Sequence, residues 1–190
     1  MPITIDTTVA LLTEAEALEI IGEDADISLV RAMLNAISIH FASITGRNLL
    51  LATYTNEYYD GSGTRNLVLR ETPVKQVDAL YVGINETVAL VQGIDKDFML
   101  DKAAGIITLM AGVFPGLPYS VKVTYQAGLE TVPHDLKFAA KKAIAFLYSE
   151  RTRIGISAIS TPDQVTTYIE QSYPKQVIEI VQRYRRLLVA

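Results

Sequence analysis

The sequence of 190 residues contains no cysteine and no tryptophan, and it has only two histidines. The absence of cysteine excludes disulfides, catalysis by a thiol and metal sites built on thiolates. No apolar run approaches the roughly 20 residues that a membrane-spanning helix needs, so we expect a soluble protein with no membrane partner. The N-terminal residues lack the basic segment and the continuous apolar core of a signal peptide, so none is expected.

Signatures of catalysis and of cofactor binding are also scarce. The sequence has no P-loop and no G-x-S-x-G motif, and Gly61-x-Gly63 falls where a turn is expected. Neither His40 nor His134 has a histidine or carboxylate at metal-ligand spacing on the same helix face. We therefore expect no catalytic residue, no metal and no cofactor. The less favoured alternative is an enzyme, for instance a hydrolase, whose carboxylates come together from distant positions.

Helical periodicity marks both ends of the chain. Thr13 and Glu16 have the spacing of a capping box, which predicts the start of a short helix. Asp26 or Ser28 can cap a second, longer helix, whose apolar residues recur at steps of three and four until Gly46 stops it. Similar stripes recur near the C-terminus. The four predicted helices cover about residues 13–21, 27–45, 134–154 and 175–188.

The period changes to two in the middle of the chain. Residues 53–59 are rich in threonine and tyrosine, as strands are, and the run Asp60-Gly61-Ser62-Gly63 is typical of a turn. Val121, Val123 and Tyr125 then alternate with polar residues. These patterns predict an antiparallel β insertion over about residues 50–128.

The predicted elements together indicate an α+β fold that is mainly α. We expect a four-helix bundle-like core, with the antiparallel β insertion between the second and third helices. None of the helices is long enough to be stable alone, so they should pack together. Residues of about 156–172 are rich in Ser, Thr, Pro and Gln and should form an extended loop or arm. No clear linker divides the chain, so we expect residues 1–190 to form a single domain.

Charge is spread unevenly along the sequence. Residues 134–190 hold nine Lys or Arg and five Asp or Glu, whereas residues 1–133 hold eight and sixteen. An acidic front and a basic back can dock copies against each other or against a charged partner. Equally, these charges can lie solvated on unrelated faces. The acidic balance argues against sequence-specific DNA recognition and leaves only non-specific contact with a phosphate backbone that passes nearby.

Several stretches occur in an order typical of one family of proteins. They are Ile44-Thr45-Gly46-Arg47, Asp60-Gly61-Ser62-Gly63, Leu67-Val68-Leu69, Thr72-Pro73-Val74, Phe98-x-Leu100-Asp101, Gly105-Ile106-Ile107, Val123-Thr124-Tyr125-Gln126-Ala127-Gly128 and Val132-Pro133-His134-Asp135-Leu136. This ordered set resembles the head–tail connector (adaptor, or head-completion) proteins of tailed bacteriophages, the gp6-like family. The resemblance extends over about residues 10–188.

The resemblance implies a structural protein of a phage or prophage that is not an enzyme. Such proteins form a homo-oligomeric ring, usually dodecameric, beneath the portal protein of a DNA-filled head. The ring receives the stopper or tail-completion protein, and genomic DNA passes close to it through the channel. The family also implies assembly in the host cytoplasm and a final place in the virion. The alternative is another ring protein of the virion, such as a tail-completion or stopper subunit.

The resemblance also indicates where contacts with partners lie. The closing segment of such proteins is often an arm or helix that reaches the portal, and here it corresponds to about residues 156–190. Because arginine and tyrosine are frequent interface anchors, they are the candidates in this segment. The candidate contacts with the portal or with neighbouring copies are Tyr168, Tyr173, Arg183, Tyr184, Arg185 and Arg186. The alternative places Tyr184 in the core and the arginines in solvent, near the negative end of a helix dipole.

Overall fold

The chain divides into two compact units. A computed structural model describes residues 4–5, 10–83, 88–93, 96–151, 158–161, 164–167 and 173–186. One unit comprises Met1–Arg47 with Val132–Ala190, and the other comprises Asn48–Thr131. We call the first the helical unit and the second the strand unit. That the whole chain behaves as the single domain expected from the sequence stays a prediction.

The described part of the helical unit contains four helices. They are α1 (Glu14–Ile21), α2 (Ile27–Thr45), α3 (His134–Glu150) and α4 (Lys175–Gln182). The helices α1, α3 and α4 all contact α2, and α3 also contacts α1 and α4. The α2 helix is therefore the element around which the unit packs.

The α2 helix owes this place to its apolar stripe. Val30, Leu34, Ile37 and Phe41 are all buried, at the spacing of three and four residues that aligns them on one face. The helix ends at Gly46, whose φ of 68° is the left-handed conformation that glycine adopts without strain. By length and composition alone, α2 is the one helix in the described residues that can cross a membrane. Its buried stripe is that of the central helix of a folded unit.

The carboxylate of Glu16 stabilises the start of α1. The predicted capping box is present: the Glu16 amide donates to Thr13 Oγ1 (3.2 Å), and Glu16 Oε2 accepts from the Thr13 amide (2.9 Å). The other oxygen, Oε1, accepts from Lys137 Nζ of α3 at 2.8 Å. The bond to Lys137, followed by the bonds to Thr13, lowers the pKa of Glu16 from 4.5 to about 2. Glu16 therefore both caps α1 and holds it against α3.

The strand unit contains two antiparallel sheets. Its strands are β1 (Ala52–Tyr59), β2 (Asn66–Val68), β3 (Val74–Val82), β4 (Val88–Leu90), β5 (Phe98–Asp101), β6 (Ile106–Leu109) and β7 (Val121–Ala127). One sheet has the order β1-β7-β3-β4, and the other has the order β2-β6-β5. Side chains from both sheets meet in one hydrophobic core, to which β7 alone gives four buried residues.

A half-buried carboxylate, that of Glu57, lies beside this core. Strand β1 bulges at Asn56, which has a φ of 56°, and the bulge places Glu57 beside two tyrosines. Glu57 Oε2 accepts hydrogen bonds from the hydroxyls of Tyr59 (2.6 Å) and Tyr125 (3.0 Å). Burial raises the pKa of Tyr59 to about 12 and also raises that of Tyr125. Both hydroxyls therefore keep their protons at neutral pH and remain donors.

The fold class expected from the sequence is wrong. The chain is mixed α/β, with two antiparallel sheets in the strand unit, rather than mainly α with a four-helix bundle-like core. The strands do not depend on the helices for burial, because their apolar residues form a core of their own within residues 59–127. Two of the helices, α1 and α4, have only eight residues each, which is too few for a bundle-like core.

A further pair of strands lies in the segment where the sequence predicts an extended loop or arm. Strands β8 (Ala158–Thr161) and β9 (Gln164–Thr167) form an antiparallel pair. Ala158 pairs with Thr167, and Thr161 pairs with Gln164. This register is that of a β-hairpin.

The predicted turn at Asp60 packs against the loop that follows β6. The Gly61 amide donates to the carbonyl of Leu117 (3.0 Å), and the Tyr119 amide donates to Asp60 Oδ1 (2.9 Å). A β-carbon at Gly61 would lie 1.5 Å from the carbonyl oxygen of Pro115 and 2.6 Å from Ser120 Oγ. Glycine is therefore required here by a close approach of two backbones.

We predict that Glu16→Gln lowers the free energy of unfolding by about 1–2 kcal/mol at pH 7, because glutamine loses the charged bonds to Lys137 and to the cap. Since the folded pKa of Glu16 is about 2 and the reference value is 4.5, its contribution is complete above pH 4.5 and is lost as pH falls towards 2. Urea unfolding at pH 7 and at pH 3 measures the difference between the two proteins, which should shrink at the lower pH.

A matched control for this change is Glu19→Gln, on the same helix. Glu19 pairs with Lys141 at 3.3 Å but is largely exposed, so its loss should cost less than about 0.5 kcal/mol. Equal losses for the two variants would contradict the role assigned to Glu16.

We predict that Gly61→Ala destabilises the strand unit by about 2 kcal/mol or more, because the added methyl group overlaps the backbone of Pro115. Gly116→Ala, in the facing loop, should change stability by less than about 1 kcal/mol, since its nearest neighbour would be 3.7 Å away. Thermal unfolding of both variants tests the difference. Similar melting temperatures for the two variants would show that the loop at Pro115 moves to accommodate the added methyl group, and would contradict the prediction.

Candidate assembly surface

The last described helix is anchored by an apolar face. The buried side chains of α4 are Val177, Ile180 and Val181. Just before the helix, the Tyr173 side chain is only 8% exposed. Its ring centroid lies 6.1 Å from that of Phe41 in an edge-on arrangement and 5.2 Å from that of His40. Tyr173 therefore packs against α2 inside the helical unit.

The chain that leaves α4 is bound to the start of α3. The Tyr184 hydroxyl donates to Asp135 Oδ1 at 2.5 Å, and Asp135 lies in the first turn of α3. Burial, followed by the bond to Asp135, raises the pKa of Tyr184 to about 12, against the opposing effect of Arg183 and Arg47. The hydroxyl therefore keeps its proton at neutral pH and holds the segment in place.

The same segment then reaches the C-terminal end of α2. The Arg186 amide donates to the carbonyl of Thr45 (2.8 Å), the last residue of α2. Arg47 follows two residues later and acts electrostatically on Tyr184, as does Arg183. Four cationic side chains thus gather at one end of α2. We call this group the basic end: Arg47, Arg183, Arg185 and Arg186.

The structure places the predicted contact residues in different environments. Arg183, Tyr184, Arg185 and Arg186 lie together at the basic end, where Arg183 and Arg185 are exposed and the other two are half-buried. Tyr173 lies inside the unit, and Tyr168 falls outside the described residues. That the exposed members bind the portal or a neighbouring copy stays a prediction.

Two members of this surface were missed from the sequence. In the sequence, Arg47 and Asp135 stand out only as members of the motifs that carry the family resemblance. A basic residue directly after the glycine that stops a helix is a weak signal for Arg47. Asp135 had no further signal, because its partner Tyr184 is 49 positions away.

A metal site would require several histidine or carboxylate side chains close together. Within the described ranges, no three or more His, Asp or Glu side chains lie together in a way that can hold a metal ion. His40 is exposed on α2, and His134 is exposed at the start of α3.

The family of head completion proteins matches residues 8–187. The chain belongs to the head completion protein family. It is therefore a structural subunit of the head–tail connector of a tailed phage or a related particle, which confirms the resemblance seen in the sequence. No curated protein matches this head completion protein significantly.

Solved structures with a similar fold come from gene transfer agent (GTA) particles. A chain from the neck of an empty particle, computed with C6 symmetry, is 20% identical over 98% of this chain and 97% of its own, with a TM-score of 0.57. A chain from the virion of the native particle is 20% identical over 98% of this chain and 95% of its own, with a TM-score of 0.57. A chain from the neck of the native particle, computed with C12 symmetry, is 20% identical over 100% of this chain and 97% of its own, with a TM-score of 0.52. At this identity the likeness is one of fold.

We predict that Tyr184→Phe loosens the C-terminal segment of the head completion protein, because Asp135 loses its hydroxyl donor. The free energy of unfolding should fall by about 1 kcal/mol, with faster hydrogen exchange at the amides of residues 183–186. Tyr119→Phe is the matched control, since its side chain is 71% exposed and should show neither effect. Unchanged exchange in Tyr184→Phe would mean that the hydroxyl does not anchor the segment.

Proposed function

We propose that copies of this head completion protein form a closed ring in the neck of the virion, between the portal protein and the stopper or tail-completion protein. The observation that carries the proposal is the family match over residues 8–187, and the neck subunits of similar fold support it along nearly the whole chain. In this proposal the protein assembles in the host cytoplasm and stays in the finished virion.

A closed ring suits the properties of such a subunit. Each copy must present two different surfaces, one to the neighbour on either side, and the ring closes when the rotation between copies divides a full turn. The symmetries of the similar neck structures, C6 and C12, are both compatible with the twelve copies that the resemblance implies. Many identical weak contacts then hold the ring, so no single contact need be strong.

The proposed function is performed by binding alone, without catalysis. The structural role of the family supports this, since such a subunit acts by holding its partners in place. We propose that Arg183, Arg185 and Arg186, with Tyr184, contact the portal or a neighbouring copy. Genomic DNA passes near the ring in this arrangement, and any contact with it is with the phosphate backbone and non-specific.

We predict that deleting the gene from an inducible phage leaves DNA-filled heads and finished tails that do not join. Supplying the intact chain from a plasmid should restore joined particles, and the empty plasmid is the control. Electron microscopy and plaque counts of induced lysates measure the result. Normal joining of heads to tails without the gene would overturn the proposed function.

A binding assay separates this proposal from the alternative of a tail-completion or stopper subunit. The purified chain is mixed in turn with the purified portal ring and with the purified tail terminator of the same phage. Retention on the portal ring supports a place directly beneath the head. Retention on the tail terminator alone would instead place the chain lower in the neck.

A further inference from the structure

We infer that neighbouring copies bind head to tail through opposite charges, with the basic end of one copy against an acidic turn of the next. The acidic turn consists of Glu23, Asp24 and Asp26, the exposed carboxylates between α1 and α2. This inference rests on the proposed ring and names the surfaces that join its copies.

The two charged groups lie at opposite ends of one rigid element. The acidic turn directly precedes Ile27, the first residue of α2, whereas the basic end gathers around Thr45, its last residue. A helix of 19 residues is about 28 Å long at about 1.5 Å per residue. Charges in water are screened over about 8 Å at physiological salt. The two groups therefore cannot neutralise each other within a chain.

The carboxylates of the acidic turn differ from their neighbours on α1. Those of α1 are used inside the unit, where they pair with cations of α2 and α3. The pairs are Glu14 with Arg31, Glu16 with Lys137 and Glu19 with Lys141. Glu23 and Asp24, by contrast, have no ion-pair partner in the part of the chain that the structure describes, and Asp26 accepts only from the Ser28 amide. The acidic turn is thus left for another molecule.

Two arginines of the basic end, Arg183 and Arg185, are in a similar state. Asp135, the carboxylate at this end, accepts the hydrogen bond of Tyr184. Arg183 and Arg185 are exposed, and no described carboxylate forms an ion pair with either. The dipole of α2 favours acidic side chains at its N-terminus and basic side chains at its C-terminus. The Asp26 side chain already caps the N-terminus. The surplus charges at both ends favour an external partner of opposite sign.

A second copy is the partner that fits both surfaces at once. Because the acidic turn and the basic end differ, their contact is heterologous and can close a ring. Exposed ion pairs contribute only about 0–1 kcal/mol each, so they guide and orient copies more than they hold them. DNA would satisfy only the basic end, and the net charge of −4 opposes its approach.

The test uses two charge-reversed forms of the full chain. The first carries Glu23→Lys and Asp24→Lys, so that both ends are positive, and the second carries Arg183→Glu, Arg185→Glu and Arg186→Glu, so that both are negative. Sedimentation velocity at low and high salt measures self-association. The intact chain should associate at low salt and less at high salt, and each form alone should associate at least tenfold more weakly.

The equimolar mixture of the two forms is the decisive measurement. Alternating copies restore every opposite-charge contact, so association should return to near the intact level. This rescue also shows that both forms are folded. The control exchanges the charges of an exposed ion pair in the strand unit, Lys75→Glu with Glu130→Lys, and should associate as the intact chain does.

Three results would overturn the inference: no salt-sensitive association of the intact chain, normal association of either form alone, or no rescue in the mixture. Loss of binding to duplex DNA by the second form, with normal self-association, would assign the basic end to DNA instead. Returning each form to the phage that lacks the gene separates the two proposals. If either form alone joins heads to tails normally, this inference fails while the proposed function stands.

Discussion

The buried stripe of α2 is the constraint on which the helical unit depends. Val30, Leu34, Ile37 and Phe41 must all be covered, and α1, α3 and α4 cover them. Because these neighbours are held to a single helix of 19 residues, the positions of its two ends are fixed relative to each other. The acidic turn and the basic end occupy those ends. Their separation is therefore a property of the packed core and does not rely on mobile side chains.

The strand unit is organised by a different principle, since its strands bury their side chains against one another. Both sheets contribute to one core, and local backbone contacts, such as that at Gly61, hold the turns beside it. Glu57 adds a polar link, because its carboxylate accepts from two tyrosines whose hydroxyls stay protonated. Two separate sources of stability therefore exist in one chain: packing around α2 in the helical unit and the shared core of the two sheets in the strand unit.

The sequence predicts local features of this structure well and its non-local features poorly. The capping box at Thr13 and the stop at Gly46 depend on a few adjacent residues, and both are present. The bundle-like core was wrong because periodicity shows that a residue is buried but not against which element. The hydrogen bond between Tyr184 and Asp135 joins residues 49 positions apart, so no local sequence pattern predicts it.

Contacts through exposed charges also suit the order in which a neck must be built. A pair of copies joined by a few screened ion pairs is short-lived, so single copies remain the main species while they are dilute. A portal that binds many copies side by side raises their effective concentration, and each further contact then forms within one assembly. Closure of the ring adds a last contact without a further loss of translational freedom. Under the proposed contact, free copies therefore associate only weakly and reversibly in solution, and the complete ring closes where a portal gathers them.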